Sequence, residues 1–310
     1  MQTTITSSVS FSGVGLHSGI AVQMTIHPAL ADAGIAFWRR DLRGADRLVP
    51  ARWDAVAPSR LCTQIENADG VSVSTIEHVM AALAGCGVHN ALIEIDGPEV
   101  PILDGSAAPF VCAIMNAGVR RLDAPLHALR VLKSVEVRDG AAMARIEPSN
   151  AMEIAFSIEF TDAAIGRQSL ALNMANGAFV RELMDSRTFC RRADVEQMQA
   201  AGLALGGSYE NAVVVDGDRV LSPGGLRRER EAVRHKMLDA MGDLALAGAP
   251  ILGRYTGNRA GHALTNQLLR ALFADPAAWR WDALSEAHAH RMPGVGVTLA
   301  DCVLRASALA

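Results

Sequence analysis

Arg234-His235-Lys236-Met237-Leu238-Asp239-Ala240-Met241-Gly242-Asp243 places a histidine and two aspartates at i, i+4 and i+8. Four residues is about one helical turn, so all three can line one face of a helix. Val233, Met237, Leu238, Met241, Leu244 and Leu246 supply apolar neighbours, which predicts a helix over 229–247 buried along much of its surface. A buried aspartate is unfavourable unless it is paired or bound to metal. Imidazole nitrogen and carboxylate oxygen are both zinc donors, so His235 and Asp239 on one helix make a rigid half-site.

Glu77-His78 offers the other half. A histidine can bind metal while an adjacent glutamate activates water. The plainer reading makes Glu77 the acid of a capping box, Ser74-Thr75-Ile76-Glu77, opening a helix over 75–84. Taken together, His78, His235 and Asp239 form a two-histidine, one-carboxylate set with an open position, the pattern of catalytic zinc. His262 sits in Arg259-Ala260-Gly261-His262-Ala263-Leu264, at a glycine-marked helix start. As a general acid it needs a partner to keep its proton, and Asp243 can serve; otherwise it only caps a helix. Lys236 can point to a substrate or simply be solvated. Thr188, in Ser186-Arg187-Thr188-Phe189, offers a hydroxyl to an oxyanion or is an ordinary loop residue.

Composition narrows the classes. The chain has 310 residues, 50% hydrophobic and 20% charged, enough for a sizeable core in one large or two ordinary domains. A net charge of −4 gives no electrostatic case for nucleic acid. No run of roughly 18 apolar residues exists to span a membrane, and Met1 to Phe11 lacks the features of a signal peptide. Cys62, Cys86, Cys112, Cys190 and Cys302 are scattered, without a Cys-x-x-Cys pair, and read as reduced thiols of a cytoplasmic protein.

Alternation predicts strands at 22–26 and 91–95, and 75–84 and 107–117 read as helices. Ala124-Pro125-Leu126-His127 is a plausible boundary, giving a first domain 1–125 and a second 126–282. The second repeats strands first (129–137, 142–146, 152–160) and helices after (177–185, 195–201, 229–247), then a strand at 251–256 and a helix at 262–273. The fold class is α+β. Residues 283–310 read as an irregular, peripheral tail. Gly13-x-Gly15 lacks the rest of a phosphate loop, and Gly206-Gly207-Ser208 reads as a tight turn. His27, His89, His127, His288 and His290 have no partner pattern and read as structural or surface residues.

Six ordered blocks resemble the UDP-3-O-acyl-N-acetylglucosamine deacetylase family, zinc hydrolases of lipid A biosynthesis. They are Gly13-Val14-Gly15-Leu16-His17-Ser18-Gly19, Thr75-Ile76-Glu77-His78-Val79-Met80-Ala81-Ala82-Leu83, Asp104-Gly105-Ser106-Ala107-Ala108-Pro109-Phe110, Gly202-Leu203-Ala204-Leu205-Gly206-Gly207-Ser208, 234–244 and Gly261-His262-Ala263-Leu264. The resemblance implies two similar α+β domains, each a sheet layered with helices, with the active site between them. It implies one insert per domain, near 41–62 and 190–221. It implies Zn²⁺ on His78, His235 and Asp239, Glu77 as base, His262 as acid with Asp243 behind it, Thr188 at the oxyanion and Lys236 on the substrate. Val195, Ala204, Ser208, Ala212 and Val214 would line an acyl passage, with Phe160, Phe189 and Arg259 as further substrate contacts. Small apolar side chains suit a fatty chain, each buried methylene contributing roughly 0.8 kcal/mol. The expected partner is an acylated UDP-N-acetylglucosamine, and a monomer is expected.

The sequence departs from the family's usual pattern at two places. Asp162-Ala163 stand where a His-Pro pair is usual, and Cys190-Arg191 where Gly-Phe is usual. The competing chemistry for the same donors is a non-haem iron oxygenase, whose histidine and carboxylate commonly lie on β-strands. A helical i, i+4 pair with an acid beside the first ligand favours hydrolysis. A metal-stabilised sugar-nucleotide binding protein would need neither Glu77 nor His262, and a structural zinc site would use a fourth ligand.

Overall fold

The computed structural model describes residues 1–44, 46–59 and 61–306. The architecture is α+β, as the order of strands and helices predicts. A first sheet has five strands in the order Val9–Val14, Ala21–Pro28, Ala91–Ile95, Ile35–Arg39, Leu48–Pro50. Neighbours are antiparallel except Ile35–Arg39, which runs parallel to Ala91–Ile95. Val22, Met24 and Ile26 are buried while Ala21 and Gln23 are exposed, so one face of this sheet is turned inward.

The second sheet has seven strands centred on Ile251–Asn258. That strand pairs antiparallel with Ala142–Pro148 and parallel with His127–Val131 and Met152–Glu159. Val135–Asp139, Arg167–Asn173 and Trp279–Ala283 complete it.

Eight helices are described: α1 (Glu77–Gly85), α2 (Ala108–Ala117), α3 (Ala178–Glu182), α4 (Arg192–Ala200), α5 (Glu231–Ala245), α6 (His262–Ala274), α7 (Glu286–Ala289) and α8 (Leu299–Ala306). α1 and α5 pack on one another. Every residue of α1 except Ala84 is buried, as is every residue of α5 except Arg234, Lys236 and Ala245. Helices covered all round belong between layers. Val79, Met80 and Leu83 of α1 and Met237, Leu238 and Met241 of α5 join one core with Ile26, Phe37 and Ile93 of the first sheet and Ile154 and Tyr255 of the second. A Cβ at Gly242 would lie 2.0 Å from the Glu77 carbonyl oxygen, so only glycine allows these two backbones to approach so closely.

Several expectations need correction. No capping box opens α1. Its N-cap is Ile76, without a side-chain cap, because Ser74 donates to the Pro98 carbonyl and Thr75 to Glu99. The strand expected over 129–137 is two strands, His127–Val131 and Val135–Asp139, on different neighbours; between them the Leu132 N–H bonds the Ala278 carbonyl. Arg167–Asn173 is a strand that the sequence reading did not anticipate.

Around 41–62, where the first insert is expected, the chain contributes to two sheets. Leu48–Pro50 belongs to the five-stranded sheet, and a small sheet of Val56–Ala57, Gln64–Glu66 and Ser72–Val73 extends further along the chain. Near the second, Phe189–Arg191, Val213–Asp216 and Arg219–Val220 form a three-stranded sheet with α4 packed on it. The tail is not irregular: α8 packs on α2 and α3, Cys302 is buried, and Asp301 pairs with Arg181 of α3. The last four residues of that tail, 307–310, lie outside the described residues.

The α1–α5 contact yields a prediction. Gly242→Ala forces the helices apart and is expected to destabilise the fold by about 1–3 kcal/mol. An unchanged denaturant midpoint would show that the close approach is dispensable.

Candidate active site

α1 delivers Glu77 and His78 at its first turn; α5 delivers His235, Lys236, Asp239 and Asp243. Because the Gly242 backbone touches the Glu77 carbonyl, the two sets of side chains meet. Asp239 Oδ1 lies 3.2 Å from His235 Nε2 and 3.7 Å from His78 Nε2. The two imidazole rings are perpendicular, with centroids 5.1 Å apart. Among the described residues these three form the one cluster of histidine, cysteine or carboxylate donors close enough to share a cation.

The chemistry of the set fits a cation. His235 Nδ1 lies 3.0 Å from the Ser186 carbonyl, to which it donates, so its bare Nε2 faces Asp239. Burial, reinforced by His235, pushes the His78 pKa down to about 3; burial also lowers His235, so both rings are neutral. Burial works against the Asp239 carboxylate, but its neighbours, the Lys236 ammonium and the His262 imidazolium among them, outweigh it and hold its pKa below the ordinary range. Its Oδ2 accepts Lys236 Nζ at 2.8 Å, while its buried Oδ1 has no hydrogen-bond partner. A buried anionic oxygen without a donor, beside two imidazole lone pairs, is the arrangement a divalent cation satisfies.

Glu77 and His262 flank this set. His262 opens α6, and its Nε2 is 3.9 Å from both Glu77 Oε1 and Asp239 Oδ2. Its Nδ1 is 2.9 Å from Asp243 Oδ2. Burial disfavours a charged His262, but Asp243, Glu77 and Asp239 outweigh it and push its pKa up to about 10. Burial pushes the Glu77 carboxyl up to about 8, against the pull of His262. Thr63 bridges Glu77 and Asp243: its N–H donates to Glu77 Oε2 at 3.0 Å and its hydroxyl to Asp243 Oδ1 at 2.6 Å.

A cavity of about 900 Å³ opens from this centre. Glu77, His78, Thr188, His235, Lys236, Asp239 and His262 line its inner end. Phe160, Phe189, Val195, Ala204, Ser208, Ala212 and Val214, all expected from sequence, are on its walls. Asp243 stands behind His262 and is not on the wall. Arg259 is also off the wall, its guanidinium bonded to Glu159. Two residues escaped the sequence reading. Thr63 carries no motif signal of its own. His17 lines the cavity with a buried Nδ1 that has no partner, and its glycine-rich turn was set aside as not a nucleotide loop. That turn is held by Glu99, which accepts the N–H groups of His17 and Ser18 at 2.9 and 2.8 Å.

Comparison with known proteins places the chain in a family. Residues 2–274 match the family model LpxC, UDP-3-O-acyl N-acetylglycosamine deacetylase. A protein of Phenylobacterium zucineum named UDP-3-O-acyl-N-acetylglucosamine deacetylase is 50% identical over 285 residues, covering 92% of this chain and 97% of the relative. Proteins of the same name from an Anaeromyxobacter strain and a Shewanella strain are 49% and 46% identical, covering 90% of this chain in each case and 90% and 91% of the relatives. The chain therefore belongs to the UDP-3-O-acyl-N-acetylglucosamine deacetylase family.

Proposed function

We propose that the chain hydrolyses the acetamide of a UDP-3-O-acyl-N-acetylglucosamine to acetate and UDP-3-O-acyl-glucosamine, the committed step of lipid A biosynthesis. The observation that carries this reading is the unpartnered Asp239 oxygen between two neutral imidazoles, flanked by a carboxylate and a cationic imidazole. His78, His235 and Asp239 would hold Zn²⁺. When bound, the ion supplies a Lewis acid and lowers the pKa of a water toward about 7.

The chain's own groups do the rest. Glu77 accepts a proton from the attacking water, whose oxygen adds to the acetamide carbon. Thr188 donates its hydroxyl to the carbonyl oxygen as negative charge develops there. His262, held cationic by Asp243, gives its Nε2 proton to the amine nitrogen as the carbon–nitrogen bond breaks. Lys236, fixed by Asp239, presents a cation at the inner end of the cavity. Val195, Ala204, Ser208, Ala212 and Val214 would take the acyl chain, and Phe160 and Phe189, in edge contact at 5.4 Å, the head group. Arg259 would meet the nucleotide only after leaving Glu159.

The same reading divides the chain near residue 125, into 1–125 and 126–282. It puts the enzyme in the cytoplasm, in keeping with five free cysteines, and as a monomer, since every proposed group comes from one chain. Among the described residues no helix is long and apolar enough to cross a membrane.

Three outcomes are expected. Purified protein carries about one zinc per chain and releases acetate from the acylated substrate in a chelator-sensitive way, whereas Asp239→Ala binds no zinc; unchanged metal content in that variant would overturn the ligand set. Glu77→Gln retains the metal and loses about a hundred- to ten-thousand-fold in kcat; full turnover would overturn its role as base. In the pH profile of kcat/KM, the rate is present above the pKa of Glu77, which works deprotonated, and is lost as pH rises through that of His262, which works protonated. His262→Gln should therefore remove the alkaline limb, and its persistence would assign the limb to another group.

A further inference from the structure

Asp162 and Arg191 are distant in sequence and meet in the fold. Asp162 Oδ2 is 4.0 Å from Arg191 Nη1. Arg191 also grips Asp194, in the first turn of α4, through Nε at 2.7 Å and Nη2 at 2.6 Å. The other oxygen of Asp162 accepts the Gly217 N–H at 3.1 Å, in the turn between Val213–Asp216 and Arg219–Val220. The Ala164 N–H donates to the Gly217 carbonyl at 3.0 Å. The turn so anchored begins at Phe160, whose own N–H bonds the Gly166 carbonyl at 3.0 Å.

The strand Phe189–Arg191 joins two walls. Cys190 pairs in register with Val214, and both line the cavity. Phe189 and Arg191 alternate with Cys190, in register with the buried Val213 and Val215, and they too border the cavity. Phe189 meets Phe160 and Arg191 meets Asp162. A half-exposed Arg–Asp pair at this distance contributes little by itself. The Gly217 hydrogen bond to a charged acceptor, on an Asp162 side chain that is 17% exposed, contributes more.

We propose that Asp162 is a positioning residue that couples recognition of the acyl chain to recognition of the sugar-nucleotide head. It ties the Phe160 turn to the segment that walls the acyl passage, through Gly217 and Arg191. An acyl chain seated against α4 and Val214 orders that segment, and the tie passes the ordering to Phe160 and Phe189. A substrate without the chain meets a looser head-group wall, so the two recognition energies are not additive. This inference rests on the deacetylase reading of the site.

The test compares kcat/KM for acetate release from UDP-3-O-acyl-N-acetylglucosamine and from UDP-N-acetylglucosamine lacking the acyl chain. Asp162→Ala is expected to reduce the preference for the acylated substrate about tenfold, near the lower end for one hydrogen bond to a charged acceptor, with the change in KM rather than kcat. Arg191→Ala does the same to a smaller extent, Arg191→Lys restores part of the preference, and the double variant falls no further than Asp162→Ala. Melting temperature and metal content report folding. Should Asp162→Ala fail to fold, Asp162→Ser and Arg191→Ala carry the same criterion. Equal losses for both substrates, or an unchanged preference, would overturn the inference and leave the deacetylase reading standing. No acetate from the acylated substrate with the native protein would overturn both.

Discussion

The backbone contact between Gly242 of α5 and Glu77 of α1 is the constraint from which the rest follows. His78 comes from one helix, and His235 and Asp239 from the other. Their donor atoms converge because the two main chains touch, not because long side chains reach across a gap. The core reinforces this. Methionines and leucines of both helices fill the space between the two sheets, so separating the helices would open that core along its length.

Electrostatics in the site is a balance between burial and partners. Glu77, Asp239, Asp243, His78 and His235 are all nearly without solvent, so each charge there needs a specific compensation. Asp243 has His262 and Thr63, and Asp239 has Lys236 on one oxygen. Glu77 receives a single backbone N–H on one oxygen, and burial raises its pKa. Glu77 and Asp239, carboxylic acids on facing helices, thus shift in opposite directions because different neighbours face them.

Much of this was legible in the sequence, for a physical reason. The i, i+4 spacing of His235 and Asp239 and the apolar stripe around them are local properties of one helix, so the pattern survives without tertiary information. The adjacency of Glu77 and His78 is local too. The reading failed where a role depends on what approaches from elsewhere. Ser74 has the right spacing for a cap, but Pro98 claims its hydroxyl. Thr63 is an unremarkable threonine until Glu77 and Asp243 both arrive beside it. The pairing of Arg259 with Glu159 on the neighbouring strand is likewise invisible in the local sequence. The break at Leu132 depends on Ala278, well over a hundred residues away.

The stretch matched by the family model ends before the folded body does. The family match stops at residue 274, yet Trp279–Ala283 pairs along the whole of His127–Val131. A protein shortened to the matched region would therefore lose a border strand and present the backbone groups of His127–Val131 as a free edge, a ready template for pairing between copies. It would also strip α8 from α2 and α3 and bare the buried surface around Cys302. Such a shortened chain would keep every residue of the metal and proton-transfer centre and still be prone to self-association.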